Sequence, residues 1–240
     1  MSEGSLLPAV LACLETGRIC VPTMFDAARG RHDRRRVSGR LSSWADRVVR
    51  QARIDLHVHG LEHVTPDAPH VLMSNHQSHY DIFVLFKAYP GVLRMVAKIE
   101  LARVPILGGG MKAAEFVFLD RQDHGHAVSA LKLAGERIRS GINVWIAPEG
   151  TQSRDGALLP FKKGGFVLAE EVGVPILPVT VEGTRHVLPA KTSRVHLGQR
   201  VDVTFHAPVD PATFGPREAV MAEVRRRIES ALPAELQRPH

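Results

Sequence analysis

Cysteine is nearly absent: Cys13 and Cys20 are the only two in 240 residues. Two thiols near one terminus cannot staple a small secreted fold, and they fit a reducing compartment. Aromatic residues make up only 5% of the chain, so a core has to come from Val, Leu, Ile and Ala. Long apolar runs are missing too. The run from Leu6 to Leu14 is interrupted by Pro8 and falls short of the roughly 20 residues that cross a bilayer. The opening MSEGS lacks the basic start of a signal peptide. The expectation is a chain with no transmembrane helix and no signal peptide. There is no internal repeat, and no stretch combines low hydrophobicity with a long charge run as disordered segments do.

What is present is apolar enough, at 44% hydrophobic residues, to bury one substantial core. The net charge of +6 is concentrated. Residues 29 to 53 hold nine arginines against Asp33 and Asp46, and the remainder is close to neutral. Such a segment suits a nucleic acid or an anionic membrane. Around it, Leu6, Leu7, Val10, Leu11 and Leu14 recur at helical spacing, as do Leu41, Trp44, Ala45, Val48 and Ala52. The second set puts Leu41, Trp44 and Val48 on one face with arginines on the flanks, the pattern of a helix lying in a membrane interface. Residues 1–53 therefore read as an amphipathic, Arg-rich membrane-docking segment, and 54–240 as a catalytic domain.

After Arg53 the period becomes two, with Ile54, Leu56 and Val58 alternating with polar neighbours. Further strands are expected at 70–74, 92–97, 116–119, 142–147, 175–182, 194–197 and 201–206. Helices are expected from about Ser78 to Ala88, over 126–140 and 162–172, and after Pro216. Strands alternating with helices predict an α/β fold, a mostly parallel sheet flanked by helices, with an N-terminal helical pair. Gly108-Gly109-Gly110 reads as a turn, since no phosphate-loop pattern surrounds it.

The polar stretch after the 70–74 strand is Asn75-His76-Gln77-Ser78-His79-Tyr80-Asp81. If Ser78 caps the helix, His76 lies in the incoming loop and Asp81 in the first turn, where its carboxylate can reach the imidazole. A carboxylate on one ring nitrogen fixes the tautomer and lets the other take a proton from a hydroxyl. Ser78-x-x-Asp81 also reads as a plain capping box, and Ser78 beside His76 as a nucleophile is a minor option.

NHQSHYD resembles the NHxxxxD block of the glycerolipid acyltransferases, the family of bacterial 1-acyl-glycerol-3-phosphate acyltransferases. Residues 96 to 121 are similar to that family's second block, APEGTQS (147 to 153) to its third, and VPILPVTVEGT (174 to 184) to its fourth. The resemblance implies acyl transfer from acyl-CoA or acyl carrier protein to the free hydroxyl of a lysolipid, most directly 1-acyl-sn-glycerol 3-phosphate, giving phosphatidic acid. It implies that His76 and Asp81 are catalytic, and that Lys98, Arg121, Glu149, Gly150 and Thr151 bind the acceptor. Neither a metal nor another cofactor is called for, because a thioester is already activated. Amides at the start of the 78–88 helix are candidate oxyanion donors. Ala147 and Gln152 depart from the third block, usually FPEGTRS, and Gln152 cannot supply the charge of Arg. A different lysolipid, such as lyso-ornithine lipid, is the alternative acceptor. The expected location is the cytoplasmic face of a membrane, bound peripherally to the phospholipid surface.

Two remote readings remain. Asp55, His57 and His59, with His63 and His70 nearby, resemble the His-x-His strand of metal-dependent hydrolases. The Arg-rich segment suits a nucleic-acid-binding module, but it has no aromatic interleaving and no surrounding motif, so no nucleic-acid partner is expected.

Overall fold

The computed structural model describes residues 4–120 and 122–237. The elements run α1 (Leu7–Ala28), α2 (Arg34–Gln51), β1 (Asp55–His59), β2 (Val71–Ser74), α3 (Tyr80–Ala88), β3 (Leu93–Lys98), α4 (Leu107–Ala113), β4 (Val117–Leu119), α5 (His124–Arg139) and β5 (Asn143–Ile146). There follow α6 (Gly164–Val172), β6 (Ile176–Glu182), α7 (Thr184–Val187), β7 (Arg200–Phe205), α8 (Pro211–Phe214) and α9 (Arg217–Ser230). The strands form one sheet in the order β1-β7-β6-β2-β5-β3-β4. Every neighbouring pair is parallel except β6 and β7. The fold is thus the expected α/β architecture, with helices on both faces of a mostly parallel sheet.

The central strands are apolar along their length because both of their faces are covered. In β2, Val71 and Met73 feed a cluster with α5, α6 and α9, while Leu72 feeds the opposite cluster with α1, α2, α3 and α4. That second cluster is continuous from Ile19 and Cys20 through Trp44 and Val48 to Leu177 and Val203. The N-terminal helices and the sheet therefore share one core.

Three expectations about the N-terminal half are corrected. First, α1 continues past Leu14 through Gly17 and Pro22 to Ala28. Pro22 removes one backbone hydrogen bond, but packing on α2 and α4 carries the helix across it. At 22 residues it is long and apolar enough to cross a membrane by length and composition. Second, the apolar face of α2 does not look outward. Leu41, Trp44 and Val48 are buried. The Trp44 ring lies 4.7 Å from Phe83 and 6.3 Å from Phe86, and its Nε1 donates to Thr16 Oγ1 at 3.1 Å. An amphipathic pattern fixes that one face is covered, not whether protein or lipid covers it. Third, Gly108–Gly110 lies in α4, not in a turn. A Cβ on Gly110 would fall 2.4 Å from Cys20 Sγ, and one on Gly109 2.6 Å from Met24 Cε. Gly109 and Gly110 let α4 press against α1, and Gly108 lets it lie against the Ala102 carbonyl.

Smaller differences have local causes. α2 begins at Arg34 because Asp33 accepts from the amides of Arg35 and Arg36. Residues 194–197 do not form a strand; Val195 makes an isolated bridge with Ser5.

Candidate active site

The loops that leave β2, β5 and β6 meet at the carboxyl ends of these adjacent strands, where open α/β sheets bind ligands. The sequence blocks map onto this edge because each block follows a strand. Asn75 to His79 follow β2, Glu149 to Gln152 follow β5, Thr184 follows β6, and Lys98 ends β3.

His76 Nδ1 lies 2.7 Å from Asp81 Oδ2, with the His76 side chain 20% exposed and Asp81 fully buried. The carboxylate is heavily supported. The amides of Gln77 and Ser78 donate to Oδ2 at 2.8 and 3.1 Å, and Thr184 Oγ1 donates to Oδ1. These donors fix the position of the carboxylate beside the imidazole. The helix starts at Tyr80 rather than Ser78. Ser78 Oγ still accepts from the Tyr80 amide and donates to the carbonyl of Leu188 at 3.0 Å. That double engagement gives the hydroxyl a structural role and leaves the nucleophile reading unsupported. Of the amides at the start of this helix, candidate oxyanion donors, those of Ser78 and Tyr80 are engaged by Asp81 Oδ2 and Ser78 Oγ.

Two further side chains hold the loop. Asn75 bonds both ways to the backbone of Val181 on β6, each contact at 2.8 Å. Glu149 takes the amides of His76 and Leu159, both at 2.8 Å, on its two oxygens. Burial pushes its carboxyl up to about 7, against the lowering effect of those two amides and of His76. Glu149, expected to bind the acceptor, is therefore buried behind His76 and acts on its backbone. Gly150 has φ +72°, a conformation that glycine adopts without strain, and turns the chain so that Thr151 is exposed. Gln152 donates to the carbonyl of Gln77 at 2.7 Å, so its amide fastens one loop to the other. Lys98 is exposed and close enough to His79 to lower that imidazole's affinity for a proton, behind the larger effects of burial and His76. Arg121 lies outside the described residues.

Sequence reasoning missed Thr184, Asn75 and a cavity that reaches His79. Thr184 and Asn75 sit inside the quoted blocks, but the partners that give them a role are more than 100 residues away. The cavity, about 250 Å³, touches His79 and runs between the first four helices. Its walls include Ile19, Leu41, Trp44, Phe83, Met95 and Phe116.

A family model described as Acyltransferase matches residues 55–182. The chain belongs to the acyltransferase family. Among family members, a chloroplastic 1-acyl-sn-glycerol-3-phosphate acyltransferase, BAT2 of Brassica napus, is 33% identical over 177 residues, 73% of this chain and 50% of that protein. The human 1-acyl-sn-glycerol-3-phosphate acyltransferase alpha is 35% identical over 177 residues, 73% of this chain and 62% of that one. The chain thus spans about half to three-fifths of the length of these relatives. The crystal structure of the 1-acyl-sn-glycerophosphate acyltransferase PlsC from Thermotoga maritima matches with a TM-score of 0.74 at 28% identity, covering 95% of this chain and 98% of that one. The acyltransferase fold explains why the four sequence blocks share one edge of the sheet.

The rival readings fare differently against this geometry. His59 pairs with Asp202 at 3.0 Å, and His70 is buried against Tyr89 at 3.0 Å, so the strand histidines converge on no common point. Arg34, Arg40 and Arg47 of the basic segment clasp Glu115, Asp26 and Glu15 rather than forming a continuous free surface.

Proposed function

We propose that this acyltransferase moves a fatty acyl group from a thioester, acyl-CoA or acyl carrier protein, to the free hydroxyl of 1-acyl-sn-glycerol 3-phosphate, giving phosphatidic acid. The observation that carries this reading is the 2.7 Å contact between His76 Nδ1 and Asp81 beside an apolar cavity. With Asp81 accepting from Nδ1, Nε2 is the nitrogen that takes the proton of the acceptor hydroxyl. The alkoxide attacks the thioester carbonyl, and the tetrahedral intermediate expels the thiolate. The proton on His76 then passes to sulfur, restoring the neutral imidazole. Asp81 holds the tautomer and offsets the transient imidazolium charge. No acyl-enzyme is required. The apolar walls of the cavity suit a hydrocarbon chain, and exposed Lys98 at the end of β3 is the cation this reading assigns to the acceptor phosphate.

The substrate partitions into bilayers, and α1 supplies the means to meet one. Leu7, Val10, Leu14, Val21 and Phe25 are each more than half exposed, and at 100° per residue they form a single stripe. The opposite face of α1 packs on α2 and α4 and carries Glu15 and Asp26, both paired with arginines of α2. A helix with that face engaged lies along the membrane surface rather than across it. Docking is therefore peripheral, on the cytoplasmic face, and runs through α1 rather than α2.

The test is a transfer assay with the purified protein, acyl-CoA and a panel of acceptors: 1-acyl-sn-glycerol 3-phosphate, its phosphate-free analogue and lyso-ornithine lipid. Phosphatidic acid formation is expected to dominate, and His76→Ala to lower it by about 10³-fold or more with the fold intact. Wild-type turnover by that variant would overturn the mechanism, and preference for a phosphate-free acceptor would overturn the substrate.

A further inference from the structure

Between α1 and α2, on the outer surface, lies a groove of about 380 Å³ that the transfer chemistry does not use. Arg18 contributes from α1, and Arg36, Arg40 and Arg47 from α2. The three on α2 are spaced four and seven residues apart, which stacks them in one row along the helix. Two carboxylates stand against the four guanidinium groups. Asp26 accepts from Arg40 at 2.7 Å and Glu15 from Arg47 at 2.5 Å. These two arginines knit the helices together. Arg18 and Arg36 lie only 3.7 Å from the same acids, with side chains 70% and 53% exposed. The groove therefore keeps an excess of two positive charges, carried by its two least committed arginines.

Gly39 forms part of the wall, within α2, and a Cβ there would have nothing within 4 Å. Glycine inside a helix costs about 1 kcal/mol relative to alanine. Packing against a neighbour does not explain it here, and the missing side chain leaves this wall of the groove open. On α1, Arg18 lies about 40 to 60° around the helix from Leu14 and Val21, at the edge of the apolar stripe. An occupant anchored at Arg18 thus sits at the depth where the stripe leaves hydrocarbon and meets head groups.

We propose that this groove binds the phosphate of a membrane lipid head group, with Arg18 and Arg36 as its principal donors. The stripe gives the protein general affinity for bilayers, and the groove makes that affinity selective for anionic phospholipids. The occupant is identified as a lipid by the continuity between groove and stripe. A free phosphate ion has no use for the neighbouring apolar face. The proposal rests on the docking reading of α1.

Two measurements keep the failure of this site distinct from the failure of docking. In the first, the full chain is floated with vesicles of phosphatidylcholine alone or with phosphatidic acid added. Arg18→Gln with Arg36→Gln, and separately Gly39→Glu, should remove about tenfold or more of the preference for the anionic vesicles. The charge-matched control Arg31→Gln with Arg35→Gln, outside the groove, should keep most of it. Equal losses from both pairs, or none from either groove variant, would overturn the site in favour of diffuse surface charge. Loss of all vesicle binding in the wild type would overturn docking, and the second measurement would then decide the groove alone. There, soluble dihexanoyl phosphatidic acid and inorganic phosphate are titrated into the protein and followed by calorimetry. Tighter binding of the lipid phosphate, lost in Gly39→Glu, is expected. Binding of inorganic phosphate with equal affinity would show an anion site and overturn the lipid assignment, as would binding of neither.

Discussion

The loop after β2 and the outer face of α1 stand at opposite extremes in how their groups are satisfied. Asp81, with no exposed surface, receives the His76 ring, two backbone amides and the Thr184 hydroxyl, all from within the chain. α1 leaves Leu7, Leu14 and Phe25 at 63, 65 and 56% exposure, with the Arg29 guanidinium 3.3 Å over the Phe25 ring. The first region is complete as it stands, so perturbing it costs both activity and folding free energy. The second packs little against the rest of the chain, so perturbing it should leave the isolated protein almost unchanged. The paired helix α2 sharpens the contrast. It lies alongside α1 with a comparable apolar face, yet that face is buried.

Four experiments bear on that contrast, from the largest expected effect to the smallest. Asp81→Asn should lower kcat by about 10²- to 10⁴-fold, because an amide cannot hold the imidazole in the base-competent tautomer. Steady-state kinetics reads this directly, and a change below tenfold would make the loop structural only. Trp44→Ala should cost about 3 to 5 kcal/mol in urea unfolding, as large-to-small changes in a packed core do. A loss under 1 kcal/mol would mean that α2 is not part of the core.

The third experiment concerns Glu149, whose folded carboxyl is raised by burial to about 7 from an ordinary 4.5. Between those values the folded state binds more protons than the unfolded state, so stability falls as pH rises through this window. Urea unfolding should show a loss on the order of 2 kcal/mol between pH 5 and pH 8 in the wild type relative to Glu149→Gln. Parallel pH profiles would show that Glu149 does not titrate there. Last, Leu14→Ser with Phe25→Ser should shift stability by only about 0.5 kcal/mol, the scale of surface changes, while vesicle binding drops. A large fall in Tm would show that the stripe packs on the protein after all.

The contact between His76 and Asp81 was readable because it is local. His76 and Asp81 are five residues apart, and a strand followed by a helix start suffices to bring them together. Thr184 and Asn75 were not readable as supports, since their partners arrive through the sheet from more than 100 residues away. Glu149 was visible as a residue, but its hold on the two loop amides was not. Nothing in PEGT tells that both of its oxygens turn inward to amides. The N-terminal pair was misread for another reason. Periodicity located the apolar faces of both helices correctly, but which face meets protein depends on what the sheet side has to offer. For α2 that was Phe83 and Phe86. The three glycines of α4 read as a turn because no phosphate-loop pattern surrounds them, whereas close approach to α1 at Gly109 and Gly110, and to the Ala102 carbonyl at Gly108, leaves no room for a Cβ.

The order of the chain sets an order of events during synthesis. Asn75 closes on Val181, and Asp81 on Thr184, so the β2 loop cannot reach its final shape until β6 has been made. The outer edge of the sheet closes later still, when β7 pairs with β1 some 145 residues upstream. Contacts that span such distances form slowly, because the intervening chain must first be gathered in. α1 is made before any of these strands, and its apolar stripe waits for none of them. The apolar stripe is thus in place well before the β2 loop can close around Asp81.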